Sequence, residues 1–450
     1  MTARSGERRA LGSGAVLAAV AQVITAGALG LTSIVVARLL GPDGTGAYGV
    51  VSSGITLLIM LGSLGLGAGI TYSVSNGRWP PEDALRQSQL LALALGLVAV
   101  AIGLVLAAQL QDSVLENVPL GTAAIAVAAV PFALSWTFSW SVALGADRYE
   151  WYALAYGGQA LLVFVLVTAL AVPFGLEGAV AGLVAAYVVA ALTQLAVGRR
   201  RLGGKAPLGH ALARRVRYAV SFGLRAYVAN SVTYLALRAD LFILSAYAAA
   251  ASVGHYAIAL ALTELVLLLP RSLAAVALPR VASLDASGET DHQRGVMIKS
   301  IRHSALVAVG AAALLAAVTP LIPLVYGSGF EDTVALTLLL IPGAAALGIA
   351  ASFSSATSGK GKPEYSLYTS ILVTVPSVVA YLLVIPKHGA TGAAITSSVS
   401  YLALAVVSLL FFRSATGVRE LRALLPRAED IGDYRAAIAR LIAARRARGG

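Results

Sequence analysis

The sequence predicts an all-α polytopic membrane protein with twelve transmembrane helices, arranged as two six-helix bundles related by a pseudo-two-fold axis along the membrane normal. Three observations predict it. Of 450 residues, 58% are hydrophobic and 12% charged, about half the charged fraction of a soluble domain. The apolar residues fall into runs of roughly twenty, the length that crosses a hydrocarbon core. Correspondences between the two halves of the chain recur at two nearly equal offsets, which is what an internal duplication leaves behind.

The runs place spans at 11–37, 46–70, 88–108, 120–143, 153–173, 177–197, 218–247, 255–277, 304–322, 333–355, 366–385 and 389–411. Turn and polar signals separate them: GPDGTG, NGRWPPED, QLQDSVLENVP, GADRYEW, PFGLEG, YGSGFEDT, SGKGKPEY and PKHGATG. The first run is too long, and has no cleavage site suited, for a removable signal peptide. Pro131, Pro270, Pro320, Pro342, Pro376 and the glycine-rich run 62–69 offer bend points and close helix contacts.

Charge sorts along this pattern. With the N-terminus inside, 28 of the 33 Lys and Arg fall in inside segments, and the outside loops hold only Arg38 and Lys387. Cationic loops resist translocation, so both termini are expected in the cytoplasm of a multi-pass plasma or inner membrane protein. The net charge of +12 is then a topology signal with a secondary attraction to anionic membrane lipids, and no nucleic-acid partner is implied.

The repeat reads as follows. Val20–Thr25 parallels Val228–Thr233, and Gly46-Ala47-Tyr48 parallels Gly254-His255-Tyr256, both at an offset of 208. Arg148-Tyr149-Glu150-Trp151 parallels Lys362-Pro363-Glu364-Tyr365, Gly175–Ala179 parallels Gly389–Ala393, and Tyr187 parallels Tyr401, all at 214. This gives an N-terminal bundle at 1–197, a basic cytoplasmic linker at 198–217, a C-terminal bundle at 218–413 and a basic amphipathic tail at 414–450. Duplicated bundles of this kind are common in secondary transporters, with the substrate site at the repeat interface. In the tail, Ile431, Tyr434, Ile438, Leu441 and Ile442 form an apolar stripe among arginines, suited to the inner leaflet surface.

Span seven carries the chemistry. It holds Arg225, Arg238 and Asp240 within a membrane-length run, and a charge at mid-membrane costs about 2.5–3.5 kcal/mol on insertion scales. Such groups face a partner or a wet cavity. Tyr227, Asn230, Tyr234 and Arg238 share one helical face, whereas Asp240 aligns with Thr233. Span eight adds Glu264 and Arg271, seven residues apart on one stripe. Gln22 and Thr25 are the span-one counterparts of Asn230 and Thr233. One reading is a vestibule in which Arg225, Arg238 and Arg271 hold phosphate, and Asp240 or Glu264 carries a coupling cation or proton. Gln22, Thr25, Asn230, Thr233 and Tyr234 would line it. The blander reading is interhelical pairing, Arg238 with Glu264 and Asp240 with an amide or arginine, and snorkelling for Arg225 and Arg271.

The run Ala37-Arg38-Leu39-Leu40-Gly41-Pro42 followed by Gly46-Ala47-Tyr48 resembles the N-terminal signature of Wzx-type polysaccharide flippases. So do Arg238-Ala239-Asp240 with Val253-Gly254-His255-Tyr256, and His388–Ala394. These proteins belong to the multidrug/oligosaccharidyl-lipid/polysaccharide exporter superfamily, and the resemblance covers residues 10–413. It implies alternating access, a cationic central cavity and a lipid-linked (polyprenyl-diphosphate) oligosaccharide as substrate. It also implies a polymerase and glycosyltransferases of the same pathway as partners. The lipid II flippase branch has several arginines in its first two spans. Here those spans carry none before Arg38 and none in span two, which points to an exopolysaccharide, O-antigen or teichuronic-type unit instead.

Enzyme signatures are missing: there is no phosphate-binding Gly-rich Lys-Ser/Thr loop, no Gly-x-Ser-x-Gly elbow and no metal-ligand spacing. With no cysteine, disulfides and thiolate chemistry are excluded. No catalytic residue, metal or cofactor is expected. The alternatives are a cation-coupled multidrug exporter, which wants a more acidic and aromatic cavity, and a polysaccharide polymerase or ligase, which wants a large external loop.

Overall fold

A computed structural model describes residues 2–202, 212–418, 420–430 and Gly432, and at some helical positions the backbone alone. Among the described residues every regular element is a helix. They are α1 (Thr2–Ser63), α2 (Leu66–Ser75), α3 (Pro81–Gln109), α4 (Leu120–Val127), α5 (Val130–Gly145), α6 (Tyr149–Leu202), α7 (Leu212–Tyr247), α8 (Ala250–Ala286), α9 (Thr290–Val318), α10 (Ile322–Tyr326), α11 (Asp332–Gly359) and α12 (Glu364–Thr416).

Eight described helices are long and apolar enough to span a membrane. Three of them, α1, α6 and α12, are each two spans joined without an intervening loop. The joints are Gly41 (φ 66°, ψ −173°), Gly175 (φ 57°, ψ −133°) and Gly389 (φ 55°, ψ −139°), conformations open essentially to glycine alone. At Gly175 the chain doubles back. A methyl on Gly178 would lie 1.9 Å from the Leu170 carbonyl oxygen, and one on Gly182 would lie 2.5 Å from that of Leu166. At Gly389 the two arms are tied by the hydroxyls of Tyr381 and Ser397, 3.0 Å apart. With these joints counted and α7 added, the chain has the twelve-helix architecture. Gly175 and Gly389 stand at the repeat offset, so equivalent residues make the same hinge in both halves.

Two spans are broken where backbone chemistry requires it. The run that ends α1 stops at Leu64 (φ 47°) and Gly65 (φ 72°) and resumes as α2. Span four divides into α4 and α5 just ahead of Pro131, which cannot donate to the preceding turn. The basic linker is helical at both ends, with Arg199–Arg201 in α6 and Arg214, Arg215 and Arg217 in α7. The stripe from Ile431 to Ile442 lies outside the described residues.

Two compact units form. One holds the described residues to Ile258 with Ile322–Glu331 and Ile385–Ala390; the other holds Ala259–Leu321, Asp332–Val384 and the rest of α12 with the tail. In the first unit, α3 shows how membrane helices pack. It buries Ala92, Gly96, Ala99, Gly103 and Ala107 and exposes Leu93, Leu97, Ile102 and Val105. Small residues let helices close, and large apolar ones suit lipid. The second unit packs α9 on α11, where Ser304 Oγ donates to the Gly348 carbonyl at 3.4 Å.

Side-chain contacts tie down the loops of the first unit at its two ends. At one end Arg215 binds Asp83 at 2.8 Å and Arg201 lies 3.5 Å from Glu150. At the other, Arg38 donates to the carbonyls of Leu324 and Val325, both at 2.7 Å, and Ser245 Oγ donates to that of Val114.

Candidate functional site

In the first unit an arc of aromatic rings is assembled from α5 and both arms of α6. Trp136 and Trp140 lie one turn apart on α5, and Tyr152 and Tyr156 one turn apart on the first arm of α6. Ring centroids are 6.0 Å apart for Trp136–Tyr156 and Trp140–Tyr156, and 5.7 Å for Trp140–Tyr152. Tyr187, from the second arm of α6, stands edge-on to Trp136 at 6.1 Å. Its phenol is within electrostatic reach of those of Tyr48 on α1, Tyr156 and Tyr234 on α7. The arc is only partly closed over: Trp136, Trp140, Tyr156 and Tyr187 are half-buried.

Polar groups are set among these rings. Trp136 Nε1 donates to the Ala155 carbonyl at 2.9 Å. Trp140 Nε1 is buried and has no partner among the described residues, a donor whose desolvation costs about 1–3 kcal/mol if nothing meets it. Gln89 on α3 is held by Ser139, at 3.1 Å, and by Ser135. A binding surface of stacked rings with fixed amide, indole and phenol groups suits flat, hydroxyl-bearing or aromatic cargo.

Two sequence-predicted residues join this arc. Thr25 Oγ1 donates to the Ala21 carbonyl at 2.8 Å and approaches that of Tyr156 at 3.3 Å. Tyr234 Oη lies 3.5 Å from the Ser53 carbonyl. Gln22 is exposed. The side chains of Arg225, Asn230 and Thr233 lie outside the described residues.

Arg238 and Asp240 sit further along α7. Asp240 is fully buried and its carboxylate is engaged: Leu241 N–H donates to Oδ1 at 2.8 Å, and Tyr256 Oη donates to Oδ2. Arg238 is half-buried, and both it and Glu264 have polar partners. In the second unit Glu264 and Arg271 are exposed on α8. Sequence reasoning missed Tyr256 as the partner of Asp240, though it lay inside the repeated Gly-x-Tyr motif. It also missed the meeting of Trp136 and Trp140 with Tyr152 and Tyr156: a spacing of four puts each pair on one helix face, but does not say that the two faces meet.

The repeated glycines also meet. A methyl on Gly46 would lie 2.2 Å from the Ala250 carbonyl oxygen, and one on Gly254 would lie 2.0 Å from that of Pro42. Residues 42 and 250 are themselves 208 apart, so the contact is reciprocal, as a two-fold relation between these segments produces.

Comparison with known proteins agrees with this architecture. The family model described as "Polysaccharide biosynthesis protein" matches residues 11–285. No curated protein sequence matches the chain. Among solved structures, a multidrug resistance MATE family transporter of the MOP superfamily in its inward-facing conformation superposes with a TM-score of 0.73 at 15% identity, covering 87% of this chain and 94% of that one. The lipid II flippase MurJ, inward closed conformation, gives 0.71 at 13% identity, covering 91% and 88%. A eukaryotic MATE transporter gives 0.63 at 14% identity, covering 91% and 98%. These likenesses establish the fold, which the chain shares with these structures along most of its length. By its sequence match over residues 11–285, the chain belongs to the polysaccharide biosynthesis protein family.

Proposed function

We propose that the protein is an alternating-access flippase that moves a lipid-linked oligosaccharide, on a polyprenyl diphosphate, from the cytoplasmic to the outer leaflet for cell-surface polysaccharide synthesis. The observation that carries the reading is the aromatic arc of Trp136, Trp140, Tyr156 and Tyr187, with the unpartnered Trp140 indole N–H, in a chain of the polysaccharide biosynthesis family. Sugar rings stack on aromatic faces, and a buried donor suits a sugar hydroxyl. Gln22, Thr25, Asn230, Thr233 and Tyr234 complete the polar lining.

In this reading Arg225, Arg238 and Arg271 hold the diphosphate, since guanidinium matches phosphate oxygens bidentately. Asp240 and Glu264 are the coupling-ion or proton candidates. The chain sits in the plasma or inner membrane with both termini in the cytoplasm. It works as two six-helix bundles, 1–197 and 218–413, joined by the basic linker, and hands its cargo to the polymerase that follows the pathway's glycosyltransferases.

The decisive experiment is a leaflet-translocation assay in proteoliposomes with a polyprenyl-diphosphate oligosaccharide. Wild type translocates it, and Arg238→Ala and Asp240→Ala each lose at least about tenfold in rate, equivalent to about 1.4 kcal/mol. Full activity in both variants at normal expression removes these residues from the site.

A second reading is a cation-coupled multidrug exporter, favoured by the same aromatic arc and by the superposition on MATE transporters. Transport of lipophilic cations without translocation of the oligosaccharide lipid would select it.

A further inference from the structure

At the end of the first unit that bears Asp83, a recess of about 330 Å3 is lined by Ser73, Arg78, Trp79, Arg214, Arg215 and Tyr218. It lies apart from the aromatic arc, and charge sorting assigns this end to the cytoplasm. The turn that builds it is fixed: Gly77 takes φ 73°, Trp79 N–H donates to the Ser73 carbonyl at 3.0 Å, and Arg78 N–H donates to Asn76 Oδ1 at 3.1 Å. Trp79 is fully buried, with its indole N–H on Gln87 Oε1 at 3.0 Å. Arg215 reaches the same oxygen at 3.1 Å and Asp83 at 2.8 Å.

The remaining cations are not neutralised. The Arg78 guanidinium lies 4.4 Å over the Tyr218 ring, and neither it nor Arg214 forms an ion pair among the described residues. Three arginines therefore line the recess, and among the described residues only Arg215 of the three pairs with a carboxylate, that of Asp83. Ser73 is 1% exposed and lines the recess, and its hydroxyl has no hydrogen-bond partner among the described residues. Gln87 Nε2, behind Trp79, is likewise buried without one. Unmatched cations around an unsatisfied hydroxyl are the donor set of a phosphate cradle. Tyr72, stacked on Tyr218 at 6.3 Å, extends an aromatic wall from it, of the kind found at headgroup depth.

We propose that this recess binds the phosphate of an acidic lipid headgroup at the inner surface, with Arg78 and Arg214 on the phosphate oxygens and Ser73 donating to one of them. The ligand's glycerol and acyl chains run along Tyr72 and Tyr218 towards the bilayer. The site does not depend on the flippase reading, because it needs only the orientation of the chain.

The test is native mass spectrometry of the full-length delipidated protein titrated with phosphatidylglycerol, with phosphatidylcholine and with inorganic phosphate. Phosphatidylglycerol should bind at least tenfold more tightly than phosphatidylcholine. Arg78→Gln with Arg214→Gln should weaken it by about tenfold or more, the loss expected for charge-assisted contacts. Displacement of the lipid by millimolar inorganic phosphate supports the phosphate cradle and makes a free anion its occupant. Both arginines are exposed, so the variant should keep the wild-type thermal midpoint. If it does not fold, Ser73→Ala decides, with an expected loss of at least threefold. Equal binding of the two lipids, or undiminished phosphatidylglycerol binding by a folded variant, overturns the proposal.

Discussion

Arg38 illustrates how a single residue departs from a statistical rule for a physical reason. It is one of two cations on the outside of the charge pattern, and its guanidinium caps the carbonyls of Leu324 and Val325 at the end of α10, where a positive charge also meets the helix dipole. Asp240 is the reverse case, a fully buried carboxylate engaged by a phenol. Removing the Tyr256 hydroxyl leaves a buried acceptor short of one donor, so Tyr256→Phe should lower unfolding stability by about 1–3 kcal/mol in detergent melts. Gly46 and Gly254 meet across a backbone-to-backbone contact in which a methyl has no room. Gly46→Ala should cost about 1–3 kcal/mol through forced separation of the helices, read by the same melts.

The hinges and the tail belong to the element scale. Gly41, Gly175 and Gly389 hold a positive φ with ψ far from the helical range, which costs a side chain about 1–3 kcal/mol. Gly175→Ala should lower the thermal midpoint although nothing surrounds the added methyl, and that separates backbone strain from packing. The tail segment before residue 431 is clasped to α9: Arg302 Nε donates to Asp430 Oδ2 at 2.8 Å and Nη2 to Glu429 at 2.6 Å. Burial pushes the Asp430 carboxyl up, but the Arg427 N–H, the Arg302 hydrogen bond and the Arg302 charge outweigh it and hold the group below the usual carboxylate range. A depressed folded value means the clasp is fully present above the unfolded value near ~3.9 and is lost as pH falls through the lower folded value. Hydrogen exchange over residues 421–430 should therefore show protection at pH 7 that fades below about pH 4. Asp430→Ala should weaken the protection at pH 7, because the buried Arg302 keeps only the exposed Glu429 as its partner.

At the scale of the whole molecule, orientation can be tested cleanly because the chain has no cysteine. A single cysteine at Ser113 should react with an impermeant thiol reagent from outside. One at Ser287 should react only after permeabilisation, and the opposite result would invert the orientation. The number of spans and their joints were legible in the sequence because hydrocarbon thickness sets run length and because glycine marks a backbone no other residue adopts. Thr25 stood out in the sequence as the repeat counterpart of Thr233, and Tyr234 through the helical face it shares with Tyr227, Asn230 and Arg238. The aromatic arc was not, since Trp136, Tyr156 and Tyr187 lie on separate spans and nothing in their spacing states that the spans are neighbours. The cradle of Ser73, Arg78 and Arg214 was hidden for the same reason, inside loops that read only as basic.

The sequence by itself determined that this chain is built to span a bilayer, that its spans break at turn signals including those holding Gly41, Gly175 and Gly389, and that residue types recur at offsets of 208 and 214. Each of these follows from local chemistry: transfer of apolar runs out of water, the steric limits on φ and ψ, and the repeat of residue types. Only the tertiary structure decided which polar side chains meet. Asp240 finding Tyr256, Arg38 finding α10 and Arg302 finding Asp430 depend on helix packing over long chain separations, where geometry rather than composition sets the partner.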